Sequence, residues 1–235
     1  IYDGAVPPYL GAHSPSVGRY SPGYRLDRLT DLMDMKSRRQ AGLPYICDSA
    51  MLEEQNECRK KLSLFNECPF DETERLQQIL KSIFGSVGAN AWVNAPFRCD
   101  YGYNISIGNN FICNYNCVML DVAPISIGDN VQIAPNVTIS TAGHPVHPET
   151  RSTQYEYGRP ICIGNDVWLG AGVIINPGVT IGDGAVIGSS SVVTRDIPPM
   201  TIAAGIPCRV IRQITEEDRL KYYKDELFDI DPFKN

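Results

Sequence analysis

The sequence lacks an apolar run of about 18 residues, the length that a helix needs to cross a bilayer. It also lacks an excess of positive charge, since its formal net charge at pH 7 is −6. A chain of this charge has no general attraction for phosphate backbones or anionic lipid surfaces. We therefore expect neither a nucleic acid nor a membrane as the partner, and we expect a cytoplasmic protein.

Histidine is scarce, and cysteine occurs without the spacing of a metal site. The chain has three histidines and eight cysteines, with no CxxC pair and no Cys/His cluster. A zinc site with three histidine ligands would need His13, His144 and His147 together, and His13 lies in an irregular stretch. We therefore expect no metal, and we expect reduced thiols that act as small hydrophobic side chains.

Two segments of different character precede residue 86. Residues 1–29 are rich in Gly, Pro, Ser and Tyr and show no periodicity, which predicts an irregular arm. In residues 30–85, apolar residues recur at helical spacing, and Leu76, Leu80 and Ile83 form one such stripe. This segment is predicted to contain two or three helices.

Aliphatic residues recur every six positions in the second half of the chain. The period is clearest at Ile163, Leu169, Ile175, Ile181, Ile187 and Val193. A period of six predicts a short strand and a tight turn, repeated, with three repeats closing one coil of a triangular prism and one inward side chain on each face. A β-sandwich is excluded because its turn signals would recur every 8–12 residues or so. We predict a β-helix over residues 86–212 and a separate C-terminal segment over residues 213–235.

The repeat is interrupted between Ile139 and Ile163 by STAGHPVHPETRSTQYEYGRP. A long excursion from a regular solenoid is commonly functional. It contains His144 and His147, and an imidazole is a suitable general base for a hydroxyl group. The residues alone leave two interpretations of His144 open, a general base and a loop-packing residue. His147 is interpreted as a loop residue, and the prism itself could be purely structural.

From Asp31 to Arg212 the chain resembles the galactoside and maltose O-acetyltransferases. The resemblance rests on YGYNISIGNNF, LDVAPISIGDNVQIAPNVTISTAGHPVHPETR, EYGRPICIGNDVWLGAGVIINPGVTIGDGAVIGSSSVVTRDIPP and AAGIPCRVIRQI. It implies a mainly β fold, a left-handed parallel β-helix of hexapeptide repeats with a small N-terminal α-helical domain on the acceptor side. It also implies a homotrimer with active sites between neighbouring chains. Acetyl-CoA would be the acyl donor, and the acetyl group would pass directly to a hydroxyl of a sugar-like acceptor.

The resemblance further implies the residues of the site, with His144 as the catalytic base. The positions that match the acceptor side are Asp48, Asp100, Asn114, Asp121 and Trp168. The positions that match the pantetheine arm of the donor are Ala171, Ser189 and Thr194, and those near the CoA phosphates are Arg195, Arg209 and Arg212. Guanidinium groups pair well with phosphate oxygens, which suits the last three.

The chain departs from this family on the acceptor side. Gln55 stands where the galactoside enzymes carry an arginine, Ile112 replaces an aromatic residue, and Val122 stands where some relatives have a second acid. These departures leave acetyl transfer intact and put the sugar in question. A hydroxylated secondary metabolite is the alternative acceptor, and a non-catalytic trimeric scaffold is the alternative to an enzyme.

Overall fold

The computed structural model of the protein describes residues 33–234. The arm predicted over residues 1–29 lies outside this range. From Asp34 onward the chain forms one compact unit. No helix between residues 33 and 234 is long and apolar enough to span a membrane.

Most of the helical residues precede the prism in the chain. Within residues 33–234 the helices are α1 (Met35–Gln40), α2 (Ser49–Glu67), α3 (Thr73–Ile83), α4 (Pro148–Ser152) and a 3₁₀-helix (Glu216–Leu220). Asp34 and Asp48 cap α1 and α2, each accepting the backbone N–H three residues on, at 2.7 and 2.9 Å. Leu62, Phe65 and Leu80 of α2 and α3 are buried in the same apolar cluster as the prism interior. Helices α2 and α3 therefore share the apolar core of the prism.

Short strands make up most of the rest of the chain. In the described range they are β1 (Ser86–Val87), β2 (Trp92–Val93), β3 (Phe97–Cys99), β4 (Ile105–Ile107), β5 (Ile112–Cys113), β6 (Cys117–Leu120), β7 (Ile125–Ile127), β8 (Gln132–Ile133), β9 (Thr138–Ser140), β10 (Ala142–Gly143), β11 (Tyr157–Gly158), β12 (Ile161–Ile163), β13 (Trp168–Leu169), β14 (Ile174–Ile175), β15 (Thr180–Ile181), β16 (Val186–Ile187), β17 (Val192–Val193), β18 (Thr201–Ala204), β19 (Arg209–Gln213), β20 (Lys221–Tyr223) and β21 (Glu226–Leu227).

Three sheets form the faces of the prism. The first face has the order β1-β4-β7-β12-β15, the second β2-β5-β8-β13-β16-β18-β19, and the third β3-β6-β9-β14-β17. From β1 to β9 and from β12 to β18, strands that follow one another along the chain lie on different faces, and neighbours within a face pair in parallel. β19 lies beside β18 on the second face and pairs with it antiparallel. This confirms the predicted mainly β fold, a parallel β-helix preceded by helices.

The length of a coil changes along the prism. Ser106 pairs with Ser126, 20 residues on, whereas Cys162 pairs with Thr180, 18 residues on. Three repeats of six residues account for the shorter coil, and the longer one carries two extra residues at a corner. Ser126 pairs with Cys162, 36 residues on, because residues 140–160 leave the prism as the predicted loop.

Each repeat buries two side chains, where the sequence analysis predicted one. Leu169 and Ile187 are fully buried as predicted, and so are Val167 and Ala185, two positions before them. Burial of each aliphatic side chain contributes about 1.5–3 kcal/mol, and it depends on the coils above and below. The coils are therefore expected to fold together.

Asparagines form a ladder at the corner between the first and second faces. Asn90, Asn110, Asn130 and Asp166 have φ angles of 56°, 53°, 58° and 57°, in the left-handed region that asparagine and aspartate tolerate. Each amide donates to the side chain one coil further on, at 3.1, 2.9 and 2.9 Å. This explains why N or D recurs after the aliphatic residue in IGNN, IGDN and IGND.

The parallel coils end at Ala204, inside the predicted catalytic domain of residues 86–212. Gly205, with a φ of 105°, allows the chain to reverse. β19 then pairs antiparallel with β18 at the edge of the second face. The predicted C-terminal segment contains the 3₁₀-helix and the hairpin of β20 and β21.

Candidate active site

The loop that leaves the prism after β9 is more regular than predicted. It contains α4 and a hairpin of β10 and β11. His144 follows β10 and Glu156 precedes β11, so the hairpin sets the two side chains opposite each other. His144 Nε2 lies 3.9 Å from Glu156 Oε2, and the imidazole is 58% exposed while the Glu156 side chain is 19% exposed. A carboxylate beside one ring nitrogen can fix an imidazole and leave the other nitrogen for proton transfer.

Two contacts hold the base of this loop against the N-terminal segment, by which we mean residues 41–48 between α1 and α2. Tyr45 and Glu156 form an antiparallel bridge, with backbone N–H to carbonyl distances of 3.0 and 2.9 Å in the two directions. The Arg159 guanidinium donates to the Gly42 carbonyl at 2.7 Å. The hairpin that carries His144 is therefore anchored at its base.

Asp121, which was predicted to lie on the acceptor side, has a fully buried side chain in the single chain. Asp121 Oδ1 accepts the backbone N–H groups of Asp100 and Tyr101 at 3.0 and 2.9 Å. Burial raises the pKa of Asp121 to about 7. The hydrogen bonds from these two backbone N–H groups oppose the rise, and the charge of Asp100 adds to it. The residue shapes the corner where the longer coils carry their two extra residues.

Asp100 lies at the edge of a cavity of about 410 Å³ between α2 and the third face. Arg59, Arg98 and Leu120 also line this cavity. Burial raises the pKa of Asp100, the charge of Arg59 opposes this rise, and the charge of Glu156 adds to it. The Asp100 carboxylate accepts no hydrogen bond from residues 33–234, so it can accept one from a hydroxylated ligand.

The other predicted acceptor residues do not all meet His144 within one chain. Asp48 caps α2 through one carboxylate oxygen. Asn114 follows β5 on the second face, and its Oδ1 accepts the next backbone N–H at 2.8 Å. Trp168 is 53% exposed on β13 of the same face. Asp100 follows β3 of the third face, and His144 lies in the loop that leaves the prism after β9 of the same face, whereas Asn114 and Trp168 belong to the second face.

The small residues predicted for the donor side lie at turns of the last coils. Trp168 pairs with Val186, which stacks Ala171 and Ser189 at the corner between the second and third faces. Thr194 follows β17 and is exposed at the next corner. The first two positions therefore lie together and the third lies on another edge.

The three predicted arginines differ in availability. Arg195 and Arg209 are exposed, and Arg209 Nη1 donates to the Cys208 carbonyl at 2.7 Å. Arg212 is held by Asp218 through two bonds of 2.7 and 2.8 Å, and this pair holds the pKa of Asp218 well below its usual range. The Arg212 guanidinium is therefore paired with Asp218 in the single chain, and a phosphate would have to replace this partner.

Two residues in or near this loop were not predicted from the sequence to belong to the site. Glu156 lies in the motif EYGRP. Its separation from His144 along the sequence matches no spacing that is typical of metal ligands or of a catalytic pair. Arg39 is buried with its guanidinium 4.0 Å above the Tyr101 ring, and its Nη2 donates to the Tyr103 hydroxyl at 2.6 Å. Only the fold brings these residues to the corner near His144.

The groups at this corner suit general base chemistry on a hydroxyl. They are an exposed imidazole, a carboxylate beside it and a second, half-buried carboxylate at Asp100. Across residues 33–234 there is no group of three His, Cys, Asp or Glu side chains that could hold a metal ion.

Two family models match the chain. The model described as "Bacterial transferase hexapeptide (six repeats)" matches residues 163–195. The model described as "Maltose acetyltransferase hexapeptide capping motif" matches residues 38–88. The first match falls on the last coils, and the second falls on the helices and the first strand.

Curated relatives and a solved structure extend these matches. Galactoside O-acetyltransferase of Escherichia coli K12 is 49% identical over 161 residues, which are 68% of this chain and 79% of that protein. Sophorolipid acetyltransferase of Starmerella bombicola is 53% identical over 150 residues, 64% of this chain and 58% of that protein. A structure of galactoside acetyltransferase in complex with coenzyme A matches with a TM-score of 0.82 and 46% identity, covering 84% of this chain and all of that one. The chain therefore belongs to the galactoside and maltose O-acetyltransferase family and is an acetyl-CoA-dependent acyltransferase.

Proposed function

We propose that the protein transfers an acetyl group from acetyl-CoA to a hydroxyl of a sugar-like acceptor, with His144 as the general base. The observation that carries this proposal is the placement of His144 on the anchored hairpin, exposed and 3.9 Å from the Glu156 carboxylate. Glu156 faces one ring nitrogen, and the other takes the proton of the acceptor hydroxyl. This pair gives the loop a chemical role beyond packing.

The transfer is a direct step in a ternary complex. As His144 removes the proton, the acceptor oxygen attacks the thioester carbonyl carbon and a tetrahedral oxyanion forms. The carbon–sulfur bond then breaks, and the CoA thiolate leaves and regains a proton from the imidazolium. Asn114 supports the oxyanion in this scheme, because its Oδ1 is used by a backbone N–H while its Nδ2 donates to no group within residues 33–234.

The donor side follows from the corner of small residues and the arginines beyond it. The pantetheine arm is narrow and amide-rich, which suits the small side chains of Ala171 and Ser189 along exposed backbone. Thr194 continues this path from a neighbouring edge. Arg195 and Arg209 would pair with the CoA phosphates, and Arg212 would do so by exchanging Asp218 for a phosphate.

We further propose that the active form is a homotrimer. The support is that Asn114 and Trp168 lie on a different face from His144, so a second chain is needed to complete the set. Exposed apolar side chains on the outer faces, Ile112, Trp168 and Ile174, are available for such packing. The eight free thiols support a reducing compartment such as the cytoplasm.

Light scattering is expected to give about three times the chain mass of 26.0 kDa. Replacing Trp168 with glutamate, which places a charge on the exposed face, should shift the mass toward the monomer and reduce acetyl transfer together. A monomer that acetylates at the wild-type rate would contradict a site shared between chains.

The acceptor is expected to be less polar than a simple galactoside. Gln55 does not replace the missing arginine, because its amide donates to the buried Tyr101 hydroxyl at 3.1 Å. Ile112 is exposed on the second face and offers an apolar wall. Asp48 and Asp100 remain as carboxylates for acceptor hydroxyls. The relative named for a sophorolipid supports an acceptor that joins a sugar to an apolar part.

In competition for acetyl-CoA, alkyl glycosides or other amphiphilic alcohols should be acetylated with a higher kcat/KM than β-galactosides without an apolar group. The reason is that a site which has lost polar donors discriminates less strongly in favour of polar acceptors. Mass spectrometry of a mixed panel measures the ratio. A clear preference for plain β-galactosides would contradict this acceptor class.

The proposed function itself is tested by release of free thiol from acetyl-CoA, coupled to detection of the acetylated product. Both signals should depend on the acceptor. No thiol release with any member of a broad hydroxyl panel would favour the non-catalytic scaffold.

A further inference from the structure

Tyr45 lies where the N-terminal segment meets the loop that carries His144. Its side chain is fully buried. Its backbone forms both hydrogen bonds of the bridge to Glu156, at 3.0 and 2.9 Å. The bridge therefore fixes the backbone of Glu156, but it does not fix the carboxylate, which is three bonds further from the main chain.

The Tyr45 hydroxyl is buried and has no hydrogen-bond partner in the part of the chain that the structure describes. Residues paired across an antiparallel bridge direct their side chains to the same side, so the Glu156 side chain lies beside that of Tyr45. Burial first and the negative charge of Glu156 second raise the pKa of Tyr45. Glu156 directs Oε2 toward His144, and this leaves its other oxygen to accept a bond. A buried hydroxyl without a partner is unfavourable, so a small rotation that completes a bond to this oxygen is favoured.

We propose that Tyr45 is a positioning residue: its hydroxyl donates to the Glu156 carboxylate and so fixes the orientation of His144. This inference rests on the proposed role of His144 as the base. A carboxylate held by both a phenol and an imidazole has lost its freedom to rotate, and the ring it contacts is then presented in one orientation.

The neighbouring polar groups are poorer acceptors for the Tyr45 proton than the Glu156 carboxylate. The Tyr101 hydroxyl accepts a bond from Gln55 at 3.1 Å. The Arg39 guanidinium stacks on the Tyr101 ring and donates through Nη2 to the Tyr103 hydroxyl, while its Nε and Nη1 are buried without a hydrogen-bond partner among residues 33–234. A guanidinium carries donors and no acceptor, so Arg39 cannot accept the proton of the Tyr45 hydroxyl. Tyr45 is the buried phenol whose backbone is already bonded to Glu156, and this singles it out for the role.

The test is a Tyr45→Phe variant, with Tyr101→Phe as the matched control. Both changes remove one buried phenol oxygen from the same small apolar cluster, but Tyr101 bonds to Gln55. Tyr45→Phe should lower kcat by about 3- to 10-fold, the loss of one hydrogen bond, with the KM for acetyl-CoA and for the acceptor unchanged. Tyr101→Phe should stay within about twofold of the wild type in kcat.

A double-mutant cycle separates positioning from general loosening. If Tyr45 acts through Glu156, then Tyr45→Phe should change kcat by less than about twofold in a Glu156→Met background, which has no carboxylate to orient. An equal loss in both backgrounds, or a loss carried by the acceptor KM, would overturn the proposal.

A readout that needs no turnover distinguishes failure of this inference from failure of the proposed function. The chain has only three histidines, so the imidazole signals of His144 can be assigned by NMR. Tyr45→Phe and Glu156→Met should both shift or broaden the His144 signals and leave those of His147 in place. Unchanged His144 signals in the folded Tyr45→Phe protein would overturn the positioning role, whether or not an acceptor is known.

Discussion

Replacing His144 with alanine is expected to lower kcat by about 10²–10⁴-fold, or roughly 2.7–5.5 kcal/mol of activation free energy. Without the imidazole, the acceptor oxygen must attack the thioester while it still holds its proton. The side chain is 58% exposed and its charged contact is with Glu156 at 3.9 Å, so its removal leaves no cavity in the core. The variant should therefore fold and assemble as the wild type does, and the loss should appear at saturating concentrations of both substrates.

The matched control is His147→Ala in the same loop. His147 is exposed at the N-cap of α4, and its side chain makes no capping hydrogen bond. This variant should keep kcat within about twofold of the wild type. Steady-state thiol release from both purified variants gives the comparison. Wild-type turnover in folded His144→Ala protein would remove the assignment of the base, and equal losses in the two variants would indicate disruption of the loop instead.

The fold could be predicted because single aliphatic residues recur every six positions along the sequence. Leu169, Ile175 and Ile181 stand six apart, and no helix or long strand puts such positions on one side. The loop was predictable for the same reason, since it is where the period fails. The second buried residue of each repeat was harder to see, because positions such as Ala185 and Ser191 are small and carry little hydropathy signal.

The site could be predicted only where one residue carries the chemistry. His144 stands out as one of two histidines in an interruption of the repeat. Glu156 and Tyr45 do not, because a hairpin and a bridge between distant segments bring them together. Arg212 shows the opposite case, since its match to a position near the CoA phosphates gives no sign that the fold pairs it with Asp218. A motif in the sequence identifies a position, but only the contacts in the fold show whether its side chain is available to bind a ligand.

Asp121 gives the stability of this protein a pH dependence that its asparagine variant should lack. Its Oδ1 accepts two backbone N–H groups, whereas its Oδ2 is buried without a hydrogen-bond partner among residues 33–234. Burial is the dominant effect, and it raises the pKa of this carboxyl from 3.8 to about 7. The folded chain therefore favours the neutral acid over the carboxylate.

The sign of the pH effect follows from the raised pKa. As the pH rises from about 4 to about 7, the unfolded chain loses this proton while the folded chain keeps it. Folding is then coupled to the uptake of one proton, and this uptake becomes less favourable as the pH rises. The contribution of Asp121 to the free energy of unfolding is therefore greatest below pH 3.8, declines across this window and is constant above about pH 7. The pKa shift corresponds to at most about 4 kcal/mol.

In an Asp121→Asn variant, the side-chain oxygen can accept the same two backbone N–H groups, and the amide stays neutral at every pH. Its Nδ2 leaves one buried donor unpaired, as the protonated acid does, so this cost largely cancels in the comparison. Urea unfolding from pH 4.5 to 7.5, at one protein concentration, should show the variant gaining stability over the wild type by up to about 3 kcal/mol as the pH rises. Titrating groups shared by the two proteins cancel in this difference. Parallel stability curves would mean that Asp121 keeps its charge on folding, and that the two backbone donors outweigh its burial.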